Sequence, residues 1–221
     1  MVPEMFGSRR RAKITGVRTP LLGVFRAFPE LVKNRVFVLN VIAVSTSSSA
    51  FFAFIAAAPY IVVETMGRGS DVYGTYFILN ALGYMLGNFA MARLVVRLGA
   101  PRMVHLGLVI STAAITIAVP LALRQDWSPL MLFVPLAINA IGNGMTIPGS
   151  TAEALSARPE LAGSAAGLMG AIQLGLSALM TVLISWLVTI WAPSLVVLIW
   201  LLTAAGLLAI HFGRRYATPE R

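Results

Sequence analysis

The stretch Gly163-Ser164-Ala165-Ala166-Gly167-Leu168-Met169-Gly170-Ala171-Ile172-Gln173-Leu174-Gly175-Leu176-Ser177-Ala178-Leu179-Met180-Thr181-Val182-Leu183-Ile184-Ser185-Trp186-Leu187-Val188-Thr189 runs 27 residues without a charged side chain. A helical span needs roughly 20 apolar residues to cross a hydrocarbon core about 30 Å thick, so this stretch is long enough. Five further segments read the same way: Val36–Ala58, Tyr73–Val95, Met103–Leu123, Pro129–Thr151 and Ser194–Gly213. None of the six contains Asp, Glu or Lys, and the one charge admitted, Arg93, lies near a span end. The runs are continuously apolar, whereas the strands of a membrane β-barrel would alternate with period two. The prediction is an all-α membrane protein with six transmembrane helices.

Composition agrees. Of 221 residues, 58% are hydrophobic and only 11% charged, against about 25% charged in an ordinary soluble domain. Water-soluble and disordered classes are excluded on that ground. The chain has no cysteine, which removes disulfides, thiolate zinc sites and a cysteine nucleophile. Its two histidines, His105 and His211, leave little for metal or imidazole chemistry, and no metal site or cofactor is expected. An intramembrane serine protease would need an activated nucleophile with a partner base, and no Gly-x-Ser-x-Gly elbow is present. A voltage-gated channel would need regularly spaced arginines within one span. No enzyme activity is predicted.

Three segments follow. Residues 1–35 form a basic cytoplasmic segment, residues 36–213 a six-span bundle, and residues 214–221 a tail. Leu21, Phe25, Phe28 and Val32 recur at helical spacing and predict an interfacial helix, which Pro29 is expected to break. The run Ser8-Arg9-Arg10-Arg11-Ala12-Lys13 resembles a twin-arginine signal, but no uninterrupted apolar stretch follows it. Fifteen of the seventeen Lys and Arg fall on one side of the predicted spans, with only Arg68 and Arg124 on the other. The positive-inside bias therefore places both termini in the cytoplasm. Trp127, Trp186 and Trp191 collect at the opposite interface.

Without a carboxylate in any span, the chain lacks the usual membrane-embedded proton carrier. Glu153 comes nearest, at the end of a polar, Gly-rich span. The amides Asn80, Asn88, Asn139, Asn143 and Gln173 need partners or a wet cavity inside hydrocarbon. They read either as interhelical hydrogen bonds or as cavity lining for a polar or amphipathic solute. Small residues at Gly163, Gly167, Ala171 and Gly175 form a ridge every four residues, with a shorter version at Gly83 and Gly87. Both predict close helix packing. Pro135 and Pro148, with Gly142, Gly144 and Gly149, predict a bent or broken fourth span.

Several stretches carry a family resemblance. Phe51-Phe52-Ala53-Phe54-Ile55-Ala56-Ala57-Ala58-Pro59-Tyr60 resembles the end of the seventh span of bicyclomycin-resistance (Bcr/CflA) type drug efflux proteins, within the major facilitator superfamily. Tyr73-Gly74-Thr75-Tyr76-Phe77-Ile78-Leu79-Asn80-Ala81-Leu82-Gly83 is similar to the start of that family's eighth span. Arg93-Leu94-Val95-Val96-Arg97-Leu98-Gly99-Ala100-Pro101-Arg102 resembles its next basic cytoplasmic loop. Ala162-Gly163-Ser164-Ala165-Ala166-Gly167-Leu168 with Gln173 resembles the opening of the eleventh span. Pro148-Gly149 departs from the family, which often has asparagine after that proline.

The resemblance implies the carboxy-terminal half of a twelve-span, proton-coupled multidrug exporter in a bacterial inner membrane. Asn80, Asn139, Asn143, Gln173 and Phe54 are the cavity candidates, and the resemblance implies Arg93, Arg97, Gly99 and Arg102 as the cytoplasmic loop. The implied partners are lipid, a drug-like small molecule, and an amino-terminal transporter half or a second copy. Nucleic acid is not expected. The family's usual membrane acidic residue lies in the other half, so activity alone is not expected. The alternative is a non-transporting membrane fragment or interaction module.

Overall fold

A computed structural model of the chain describes residues 21–124 and 127–215. The basic run Ser8–Lys13 and the tail from Tyr216 onward lie outside these residues, as do the side chains of Leu21 and Phe25. The described residues form seven helices: α1 (Leu21–Lys33), α2 (Arg35–Tyr60), α3 (Ser70–Leu98), α4 (Ala100–Ala122), α5 (Pro129–Ser156), α6 (Ala162–Ile190) and α7 (Ser194–Arg215). A π-helical turn, Ile61–Thr65, prolongs α2, and a short 3₁₀ turn, Pro159–Leu161, leads into α6. Six of the helices are long and apolar enough to cross a membrane, and α1 is the exception.

Local chemistry sets several of the ends. Asn34 caps α2 by accepting a hydrogen bond from the Phe37 backbone N–H at 3.1 Å, the role that favours Asn at this position. Ser128 does the same for α5 from Met131 N–H at 3.4 Å, with Pro129 in the first turn where its missing donor costs nothing. The spans extend beyond their expected ends. Between α3 and α4 the stretch expected to separate the spans, residues 96–102, reduces to Gly99 alone, with φ +80° and ψ 149°. That backbone region is essentially restricted to glycine, so Gly99 is what lets two long helices reverse within one residue.

The helix α1 does not break at Pro29, contrary to expectation. Its Ala27 and Leu31 are buried against Phe37, Val41, Ala154, Ala165 and Met169. Burial of that face holds the helix through the backbone hydrogen bond that proline cannot make. Similarly, α5 is one helix through Pro135 and Pro148 rather than a broken one. Its glycines serve close approach instead. A Cβ on Gly142 would meet Ser111 and the Gly107 carbonyl of α4, and one on Gly144 would meet the Tyr84 carbonyl and Asn88 N–H of α3. Neighbouring helices at that distance stabilise a proline-containing span.

The helices α2 and α5 are the inner ones. In its most apolar window 72% of α2 and 61% of α5 is buried, against 22% of α3 and 17% of α6. On one side α5 packs between α3 and α4, while α2 packs against α6, α7 and α5. The main core joins Phe54, Ile61, Ile115, Phe133, Leu136, Ile184 and Ile199. The outward faces of α3 and α6 carry exposed Ile78, Met85, Phe89, Leu174, Val182 and Trp186, surface that suits lipid or another helical body.

Candidate functional site

A cavity of about 330 Å³ lies where α2, α3 and α5 meet, lined by Phe51, Phe77, Asn80, Ala81, Tyr84 and Ile147. Pockets of roughly 300–1,000 Å³ with apolar walls and few polar groups are typical of small-molecule sites. Four of its residues, Phe77, Asn80, Ala81 and Tyr84, fall at i, i+3, i+4 and i+7 of α3, which is one helical face. The Phe51 and Tyr84 rings stack across α2 and α3 with centroids 6.5 Å apart and planes 23° apart. No charged side chain lines this cavity among the described residues.

Asn80 anchors the wall. It is 3% exposed, and its side-chain amide donates to the Leu136 carbonyl of α5 at 3.3 Å. Phe54, an expected cavity residue, lies instead in the core. It is 1% exposed, stacks on Phe77 with centroids 6.0 Å apart, and meets Phe133 edge-on. Phe51, three residues earlier in α2, is the ring on the cavity wall. Gln173 reaches from α6 to α2, donating to Ser48 Oγ at 2.7 Å, and Ser49 and Ser177 hydroxyls lie 3.3 Å apart across the same pair of helices. Asn88 donates to the Tyr84 carbonyl of its own helix.

Asn139 and Asn143 lie in a buried polar layer rather than on the cavity wall. On α5, Asn139, Asn143, Thr146 and Ser150 recur on one face, and all four are buried. Ser45 and Ser47 of α2 and Thr112 of α4 carry further enclosed hydroxyls. Of these, Asn139 Oδ1, Asn143 Oδ1, Thr146 Oγ1, Ser150 Oγ, Ser45 Oγ, Ser47 Oγ and Thr112 Oγ1 have no hydrogen-bond partner.

The glycine ridges diverge. A Cβ on Gly83 would meet the Ala137 carbonyl, and one on Gly87 the Ile141 carbonyl and Gly144 Cα, all backbone of α5. By contrast, a Cβ on Gly163, Gly167, Gly170 or Gly175 would have nothing within 4 Å. The expected close packing of the α6 ridge is therefore corrected among the described residues. The inward side of α6 carries Ala165, Met169, Ser177, Ile184 and Val188 instead, and the ridge faces away from the bundle. In the basic loop, Arg93, Arg97 and Arg102 are exposed, and the Arg93 guanidinium sits 5.0 Å above the Phe89 ring, a cation–π contact.

These features describe a membrane bundle of six long apolar helices, with a ligand-sized cavity on one side and a small-residue ridge facing outward on another. The chain belongs to the Major Facilitator Superfamily, whose family model matches residues 6–221. It is 24% identical over 163 residues to a bicyclomycin resistance protein homolog of Haemophilus influenzae, covering 73% of this chain and 40% of that protein. It is 26% identical over 159 residues to a multidrug transporter MdfA of Edwardsiella ictaluri, covering 72% of this chain and 39% of that one. An uncharacterised MFS-type transporter, YdgK, of Bacillus subtilis is 25% identical over 155 residues, 70% of this chain and 38% of the relative. The matched part of this chain spans about two fifths of the length of these relatives.

Proposed function

We propose that this chain acts as the carboxy-terminal half of a proton-coupled multidrug efflux transporter, placed in a bacterial inner membrane with both ends in the cytoplasm. The observation that carries this reading is the uncharged aromatic cavity of Phe51, Phe77, Asn80 and Tyr84. Flat aromatic walls and one amide suit a lipophilic, drug-like solute. The cavity lies beside α3, whose outer face is exposed, as a wall completed by a second body would be. Asn139, Asn143 and Gln173 are proposed as polar groups exposed to solute or water when the halves rock, as alternating access requires.

Transport by this reading needs a partner. The described spans hold no Asp, apart from Asp71 at the start of α3, and no Glu near mid-membrane to carry a proton. The α6 ridge, with open space over Gly163, Gly167 and Gly175, is the proposed seat for an amino-terminal half or a second copy. Purified chain in proteoliposomes is expected to show no pH-gradient-driven export of a planar lipophilic dye. Co-reconstitution with an amino-terminal half from a matching transporter is expected to restore it, and Tyr84→Ala with Phe51→Ala to abolish it without loss of membrane insertion. Gradient-driven export by the chain alone, lost in Glu153→Gln, would assign the carrier to Glu153 and overturn the partner requirement.

A further inference from the structure

Four helices border a second cavity, of about 340 Å³, to which the proposed transport cycle gives no role. Arg35 opens α2, Pro101 lies in the first turn of α4, Glu153 in the last turn of α5 and Gly213 in the last turn of α7. The cavity therefore sits at one end of the bundle, at the level where the headgroups of a bilayer crossed by these spans begin. At the same end His211 Nδ1 of α7 stands 3.4 Å from His105 Nε2 of α4, so two of the bordering helices meet there.

Three polar side chains interrupt the apolar wall, and they differ in charge: Arg35 is a cation, Glu153 an anion and Asn40 a neutral amide. Glu153 is half-buried, and its carboxylate has no partner among the described residues. Arg158, five residues further on, pairs instead with Glu30 and Glu160, at 3.8 and 3.3 Å. Asn40 is 5% exposed, donates to the Val36 carbonyl at 2.9 Å and leaves its Oδ1 without a partner. Buried polar groups are normally satisfied, so a carboxylate and an amide oxygen left open on one wall require a donor. A simple cation would meet Arg35 as a like charge, and a simple anion would meet Glu153. A zwitterion complements both.

We propose that this cavity seats a phospholipid headgroup of the phosphatidylethanolamine type, its primary ammonium on Glu153 beside Asn40 and its phosphate on Arg35. The ammonium brings three N–H donors, which the trimethylated amine of a choline headgroup lacks. The planar guanidinium matches two phosphate oxygens at once. Soluble glycerophosphoethanolamine carries the same two charges without the acyl chains. The lipid is the source that fits, because the cavity lies at headgroup depth and its apolar wall includes Val36, which is 47% exposed.

Native mass spectrometry of the full chain, purified in detergent and titrated with lipids of identical acyl chains, tests this. One phosphatidylethanolamine per chain is expected, bound about tenfold more tightly than phosphatidylcholine or phosphatidylglycerol, the scale of one hydrogen bond to a charged group. Glu153→Gln is expected to bring phosphatidylethanolamine down to the level of phosphatidylcholine. Arg35→Gln is expected to weaken both, since both carry the phosphate. Glycerophosphoethanolamine at the same concentration is expected not to displace the lipid, and displacement would make a free metabolite the occupant and overturn the lipid assignment. The comparison of lipids on the wild-type chain needs no variant to fold: equal binding of the three, or tighter phosphatidylglycerol, overturns the site, as does an ethanolamine preference that survives Glu153→Gln.

Discussion

Gly87→Ala tests the packing of α3 on α5 most directly. The added Cβ would stand 2.9 Å from the Ile141 carbonyl carbon and 3.0 Å from Gly144 Cα, with the Ile141 oxygen closer still. Carbon atoms pack best at about 3.5–4.0 Å, so the two helices must part locally by about 0.5–1 Å. The obstructing atoms are backbone and cannot rotate away. A gap of that size forfeits about a quarter to a half of each contact's attraction, and overpacking of this kind costs about 1–3 kcal/mol. The better helix propensity of alanine returns about 1 kcal/mol, which leaves a net loss of up to about 2 kcal/mol. Gly167→Ala is the matched control: it gains the same propensity and meets nothing within 4 Å, so it is expected to be neutral or to stabilise by up to about 1 kcal/mol. Equilibrium unfolding of the purified chain in mixed detergent micelles, followed by circular dichroism, measures both. A Gly87→Ala chain more stable than the wild type, or a Gly167→Ala chain less stable than Gly87→Ala, refutes the assignment of the two ridges.

Other outcomes follow from single contacts. Gly99→Ala forces a side chain into a backbone region that costs about 1–3 kcal/mol, and thermal unfolding is expected to fall accordingly. Gln173→Leu removes the amide that donates to Ser48; interhelical bonds of this type are worth about 0.6 kcal/mol on average, so a loss of that order in the same unfolding assay is expected and one above about 2 kcal/mol contradicts it. Reporter fusions within residues 59–72 and at Arg221 are expected to lie on opposite sides of the membrane, with Arg221 cytoplasmic; a periplasmic Arg221 contradicts the orientation drawn from the basic residues.

The sequence by itself determined the number of spans, because each span answers to one local demand: about 20 apolar residues that satisfy their own backbone hydrogen bonds. Of the cavity lining only Asn80 was legible, as an amide inside a span, while Phe51, Phe77, Ala81 and Tyr84 were not singled out. Neighbours decided the rest. The ridge at Gly83 and Gly87 and the ridge at Gly163, Gly167 and Gly175 share one four-residue pattern, yet only the first meets backbone, because α5 lies against α3 while the small-residue side of α6 faces outward. Pro29 and Pro135 carry the same local penalty as any helix proline, and burial of the surrounding faces outweighs it. Phe54 and Phe51 are equivalent by composition, and the crossing of α2 over α5 sent one ring into the core and left the other on the cavity. His105 and His211 show no spacing that links them, since the meeting of α4 with α7 is a property of helix packing over 106 residues and of no local pattern.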